Sequence, residues 1–96
     1  MIVWEFRIKP AKESEFTEQY GPDGSWARLF RNGSGYIRTE LVRDVAERER
    51  FLTLDYWQSE EDFKRFCEQH RVEYERLDKR FEGLTEKQTR LSAFET

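Results

Sequence analysis

The chain opens on a strict alternation. Ile2, Trp4, Phe6 and Ile8 fall on one side of an extended segment, and Val3, Glu5 and Arg7 on the other. A period of two predicts a half-buried strand over 2–8, closed by Lys9-Pro10. Residues 11–20 are polar and helix-forming, with Phe16 and Tyr20 four apart as the buried edge. Gly21 suits a helix cap and Pro22 forbids continuation. A short second helical piece follows, capped by Ser25, with Trp26, Leu29 and Phe30 on one face; Asn32-Gly33-Ser34-Gly35 ends it. Segments 36–43 and 50–57 read as two further strands, joined by a polar hairpin connection over 44–49. Ser59-Glu60-Glu61-Asp62 is a helix start: a hydroxyl able to accept an orphan N–H, then acids at the positive end of the dipole. One long helix is predicted over 59–81 and stopped by Gly83, then a polar turn over 85–88 and a last strand over 89–94.

The order strand, helix, strand, strand, helix, strand is the split β-α-β arrangement of ferredoxin-like α+β folds. It predicts one domain over 1–96, a four-stranded antiparallel sheet with both helices on one face. The third strand bears on the other face. Phe51, Thr53, Asp55 and Trp57 point one way, and Leu52, Leu54 and Tyr56 the other, so neither side is freely solvated. Large exposed apolar patches are unusual on monomers, and a second copy is the simplest cover. A homodimer through that second face is therefore expected.

Composition sharpens the picture in a few places. Apolar residues are scarce at 36% and charged ones abundant at 39%, but eight Phe, four Tyr and three Trp supply core volume. Net charge is −3 with both signs interspersed, which gives no basic face for nucleic acid. No apolar run approaches the ~18–20 residues that span a bilayer, so no membrane association is expected. The start Met1-Ile2-Val3-Trp4-Glu5-Phe6 lacks the pattern of a signal peptide, and a lone Cys67 fits a reducing, cytoplasmic setting.

Candidate chemistry centres on the long helix. Phe63, Phe66, Cys67, Tyr74, Leu77 and Phe81 form one stripe, and His70, the only histidine, falls at its middle. Two roles suit it. It could be a packed neutral imidazole with one hydrogen bond, or it could line a cavity between helix and sheet and move protons. If Asp55 faces the helices, it could orient and charge that ring, giving a minimal general-base pair. Cys67 and His70 alone are too few ligands for a structural metal site, and no metal or cofactor is expected. Gly33-Ser34-Gly35 precedes a strand rather than a helix, so it is no phosphate-cradling loop.

Several segments together resemble the antibiotic biosynthesis monooxygenase superfamily. They are Trp4 to Lys9-Pro10, Gly35-Tyr36-Ile37 with Glu40-Leu41-Val42-Arg43-Asp44, and Leu54-Asp55-Tyr56-Trp57-Gln58-Ser59-Glu60-Glu61 followed by Phe63 and Phe66. The resemblance implies a dimeric α+β barrel. It also implies a cofactor-independent monooxygenase that oxidises a small aromatic or quinol-like substrate between sheet and helices. Trp57 matches the pocket tryptophan that ends the third strand, which turns Asp55 toward His70. On this reading His70 and Asp55 are the catalytic pair, and Trp57, Thr53, Phe63, Phe6, Leu41 and Tyr74 contact substrate. Thr53 and Phe63 stand where a well-understood monooxygenase of this kind has Asn and Tyr. Phe6, Phe66 and Arg76 stand roughly where the heme-degrading branch has Asn, Trp and His, which argues against heme degradation. Two other functions stay open: a non-catalytic dimeric barrel that binds a small apolar ligand, and a structural dimer whose pocket is filled by its own aromatics.

Overall fold

The computed structural model describes residues 1–95, so Thr96, the last residue of the expected 1–96 unit, lies outside it. Strand β1 (Ile2–Ile8) leads to helices α1 (Glu13–Tyr20) and α2 (Ser25–Phe30). The hairpin strands β2 (Tyr36–Arg43) and β3 (Arg50–Trp57) come next. Helices α3 (Glu60–Gln69) and α4 (Arg71–Phe81), a 3₁₀ turn (Glu82–Leu84) and β4 (Thr85–Ala93) complete the order. The strands form one antiparallel sheet in the order β2-β3-β1-β4. This is the ferredoxin-like α+β fold that the pattern predicts.

Alternation decides which side chains meet the helices. On β3 Phe51, Thr53, Asp55 and Trp57 are buried, while Leu52, Leu54 and Tyr56 are half-buried on the open face. Across β1 the helix side carries Ile2, Phe6 and Ile8, which pack with Phe16, Tyr20, Phe66 and Phe81. Phe16 and Phe66 are completely enclosed; truncating a ring so placed costs about 3–5 kcal/mol. The cap read from sequence forms: the Asp62 N–H donates to Ser59 Oγ at 3.1 Å, with Glu60, Glu61 and Asp62 in the first turn.

The predicted single helix over 59–81 is instead two, hinged at His70 (φ −120°, ψ 34°). A straight helix over that span would run about 33 Å, whereas eight-residue strands reach only about 26 Å. The break keeps both halves over the sheet. Phe63 and Phe66 of α3 cover Trp57, and Tyr74, Leu77 and Phe81 of α4 pack on the rest of the core. The second departure is β4, which starts at Thr85 and absorbs the expected polar turn over 85–88. Its side chains there look like a turn, but its backbone pairs with β1 from Ile8↔Thr85 to Phe6↔Gln88. An edge strand with one solvated face needs little apolar sequence.

β2 carries an irregularity at its start. Tyr36 pairs with Trp57 and Arg38 with Tyr56, so one extra residue, the exposed Ile37, is inserted between them. Such a bulge resets the alternation. Tyr36 therefore joins Thr39 on the helix side, although they are three positions apart. Nearby, the loop before β2 lies flat on the core. A Cβ at Gly33 would stand 2.8 Å from the Phe66 ring and 2.9 Å from the Trp57 ring, and Gly35 takes φ +93°.

Candidate functional site

Asp55 sits on the inner strand β3, opposite Thr39 on β2 and Ile2 on β1. Directly opposed residues on one face of an antiparallel pair stand close enough for their side chains to interact. Here the Thr39 hydroxyl donates to Asp55 Oδ1 at 2.7 Å. The Tyr36 hydroxyl lies 2.8 Å from Thr39 Oγ1. Because the one proton of Thr39 goes to the carboxylate, Tyr36 is the donor in that second bond. The chain of hydroxyls thus points inward, Tyr36 to Thr39 to Asp55. Asp55 is only 5% exposed, and burial pushes its pKa up to about 6, with the Thr39 bond opposing part of the rise.

The carboxylate borders a recess between the sheet and helices α2 and α4. Thr39, Thr53 and Asp55 supply its polar lining; Trp4, Phe6, Trp26 and Phe30 are its apolar walls; Tyr20 and Tyr74 present phenols. Asp78 and Gln88 stand toward the exterior, joined by a 3.3 Å bond from Gln88 Nε2 to Asp78 Oδ1. The recess encloses about 420 Å³ with its open side included, of which water can enter about 40 Å³. Burial raises the Tyr20 pKa to about 12 and that of Tyr74 further still, so both phenols stay protonated near neutrality. The buried Trp26 N–H leans toward Tyr20 without hydrogen-bond geometry and has no partner among the described residues. An oxyacid base, phenols, a free indole N–H and an aromatic enclosure together can accept a proton from a hydroxyl-bearing ring and hold that ring in a dry setting.

Of the residues expected from sequence, Asp55, Thr53, Phe6 and Tyr74 meet at this recess. His70, Trp57, Phe63 and Leu41 do not line it. The expected Asp55–His70 pair does not form. His70 Nδ1 lies 3.0 Å from Glu73 Oε2, and the ring stacks on Phe66 at 4.7 Å. The break in the helix at His70 is the physical reason, since the continuous stripe assumed an unbroken 100° per residue. Trp57 is caged by Phe30, Tyr36, Phe63 and Phe66 at 5.3–5.7 Å between centroids. Its outer side borders a separate groove of about 650 Å³ at the end of the sheet, with Ile37, Tyr56 and Phe94. Leu41 is half-buried and packs on the core cluster. Sequence reading missed Trp4, Tyr20, Trp26, Phe30, Thr39, Asp78 and Gln88 as lining residues. Thr39 alone had a usable signal: counting back from the hairpin puts it opposite Asp55.

The open face differs in kind. Leu52, Leu54, Val42 and Val3 form its apolar part, and the Arg38 guanidinium lies 4.0 Å from the centre of the Tyr56 ring. Ion pairs flank it at one end: Arg50 with Glu5 and with Asp44 (3.0 Å), and Arg7 with Glu47 (2.7 Å). No helix of the described residues is long and apolar enough to cross a membrane. No cluster of three or more His, Cys, Asp or Glu side chains poised to hold a metal occurs among the described residues.

Comparison with known proteins agrees with this architecture. The family model for antibiotic biosynthesis monooxygenases matches residues 1–73, and the chain belongs to that family. Its fold is similar to that of SnoaB, a cofactor-independent oxygenase from Streptomyces nogalater. The TM-score is 0.67 at 19% identity, over 99% of this chain and 92% of that one. A proposed antibiotic biosynthesis monooxygenase from Deinococcus radiodurans gives 0.67 at 14% identity, covering 100% and 95%. A protein from Shewanella oneidensis gives 0.62 at 21% identity, covering 92% and 82%. At these identities the likeness is one of fold. No protein with a curated description matches the sequence.

Proposed function

We propose that the chain is a single-domain, cofactor-independent monooxygenase acting on a small, neutral, hydroxyl-bearing aromatic. The observation that carries this reading is a desolvated carboxylate, Asp55, bordering an aromatic-walled recess. Among the described residues no basic side chain lines that recess, while Asp55 and Asp78 do, so an anionic ring is disfavoured and an O–H donor is favoured. In the reaction Asp55 takes the phenolic proton. The phenolate gives electrons to O₂, one oxygen atom bonds to a ring carbon, and the O–O bond then breaks. The second oxygen leaves as water with two protons, one from Asp55 and one from the ring carbon. Phenol plus O₂ thus gives quinone plus water, and the substrate is the only reductant. Family membership and the likeness to an oxygenase fold support the class of reaction. The test is quinone absorbance under O₂ with a panel of naphthols, hydroquinones and anthrones. Asp55→Asn is expected to lower turnover about 10²-fold or more, as loss of a general base does. Activity equal to the parent chain would remove Asp55 from the chemistry.

A second reading, a barrel that binds a small apolar molecule without turnover, draws on the narrowness of the recess. Tight binding of the same panel with no oxidation would select it. In either case we infer a homodimer through the face of Leu52, Leu54 and Tyr56, in a cytoplasmic setting. Light scattering at micromolar concentration is expected to give twice the chain mass, and Leu54→Glu to give one chain mass. A parent chain that is monomeric removes the dimer.

A further inference from the structure

We propose that Tyr36 and Thr39 are positioning residues for Asp55: the β2 bulge aims a phenol at Thr39, and this fixes the threonine proton on Asp55 Oδ1. The proposal rests on Asp55 being the base of the reading above, and its test needs no turnover.

The geometry carries it in three steps. A threonine hydroxyl has one proton and can rotate among acceptors. Opposite Asp55 it points that proton at Oδ1 over 2.7 Å. Left alone, it could turn elsewhere whenever Asp55 is protonated. The Tyr36 hydroxyl, 2.8 Å away, occupies the accepting side of Oγ1 and leaves the threonine donor one direction. Chained hydroxyls also polarise each other, so each bond strengthens the next. The outcome is a carboxylate with one oxygen tied back and Oδ2 without a hydrogen-bond partner among the described residues, ready for a substrate proton.

The bulge is what makes the chain possible. In a regular strand, residues 36 and 39 would lie on opposite faces of the sheet. The extra residue, Ile37, places both on the helix side, and Tyr36 is held there by Trp57 at 5.3 Å and Phe30 at 5.8 Å. The other titratable groups around the recess are Tyr20 of α1 and Tyr74 and Asp78 of α4. Ile2, opposite Asp55 on β1, adds none. With no cation lining the recess, the hydroxyl chain is the one arrangement among the described residues that favours the charged carboxylate. Burial opposes it.

The test follows the Asp55 carboxyl by pH titration, using carbon-13 NMR with Asp55→Asn to assign the signal. Thr39→Val is expected to raise the midpoint by about one unit, the size of a lost charge-assisted hydrogen bond. Thr39→Ser restores it. Tyr36→Phe keeps the ring packing and raises the midpoint by a few tenths, in line with a cooperative share of about 10–30% per bond. In an active preparation, the acid limb of the pH profile of kcat moves with each midpoint. Unchanged midpoints in both Thr39→Val and Tyr36→Phe overturn the proposal even if quinone forms. Shifted midpoints with no oxidation of any substrate uphold it and count against the oxygenase reading alone.

Discussion

Trp57 and Asp55 stand two residues apart on one face of one strand, yet one is the centre of a packed cluster and the other the edge of a space. Around Trp57, α2, α3 and the start of β2 bring in four rings, and the loop at Gly33 brings a backbone close enough to exclude even a methyl group. Around Asp55, the neighbours are Thr39 and the walls of a recess that water can enter. The strand treats both positions alike; what differs is the element overhead. α3 closes on Trp57, and the hinge at His70 lets α4 run over Asp55 without filling the volume beneath it. Dense packing stabilises, whereas an enclosed carboxylate beside unfilled space costs stability and gains reactivity.

The larger effect on stability lies at Trp57. Trp57→Ala is expected to lower the free energy of unfolding by about 3–5 kcal/mol in urea titrations. A loss below ~1 kcal/mol would mean that the cluster is not the firm end of the molecule.

A smaller effect follows from the charge at the other end. The folded pKa of Asp55, about 6, lies above the ordinary unfolded value of about 3.9. The folded state therefore holds this proton more tightly between those values. The stability linked to it is fully present below about pH 4 and lost as pH rises through 6. At about 1.4 kcal/mol per unit, the loss is on the order of 2–3 kcal/mol. Asp44 and Glu73 work in the opposite sense, since backbone N–H groups at Ala46 and Glu47 and the His70 ring respectively depress their pKa values. The difference between the parent chain and Asp55→Asn isolates the term: the parent loses stability relative to the variant across pH 4–6. A flat difference curve would place Asp55 in a polar setting.

Least of all is expected from the hinge. His70 is half-buried and its partner Glu73 is exposed, a pair of the kind worth under ~1 kcal/mol. His70→Ala should shift the unfolding midpoint slightly and leave turnover within twofold. A tenfold fall in turnover would show that the imidazole reaches the chemistry after all.

How legible all this was depended on the range of the interaction. The limits of β1, β2 and β3, the facing of Phe51, Thr53, Asp55 and Trp57, and the Ser59 cap rest on local periodicity and local hydrogen bonding, and the sequence shows them directly, whereas the polar start of β4 is a strand only through its pairing with β1. The pairing of Thr39 with Asp55 needs one further step, the hairpin register. His70 was misplaced because helix periodicity projects an unbroken axis, and a hinge of one residue leaves no mark in the spacing of apolar positions. The lining by Trp4, Trp26 and Gln88 comes from three separate elements converging, a tertiary outcome that no single window contains.

Ile37 has a consequence for how this chain is compared with relatives. A β-strand is a two-sided tape, and one added residue is a phase slip that exchanges the sides for everything upstream. No point substitution at residue 37 can undo it, since any side chain there leaves the count unchanged. Deleting the residue would move Tyr36 to the far surface while Thr39 and Asp55 stay opposed. In an alignment across β2, the placement of a single gap thus carries more chemical meaning than the identity of the residue beside it. Two relatives that share Tyr, Thr and Asp would still differ in their sites if only one carries the extra position.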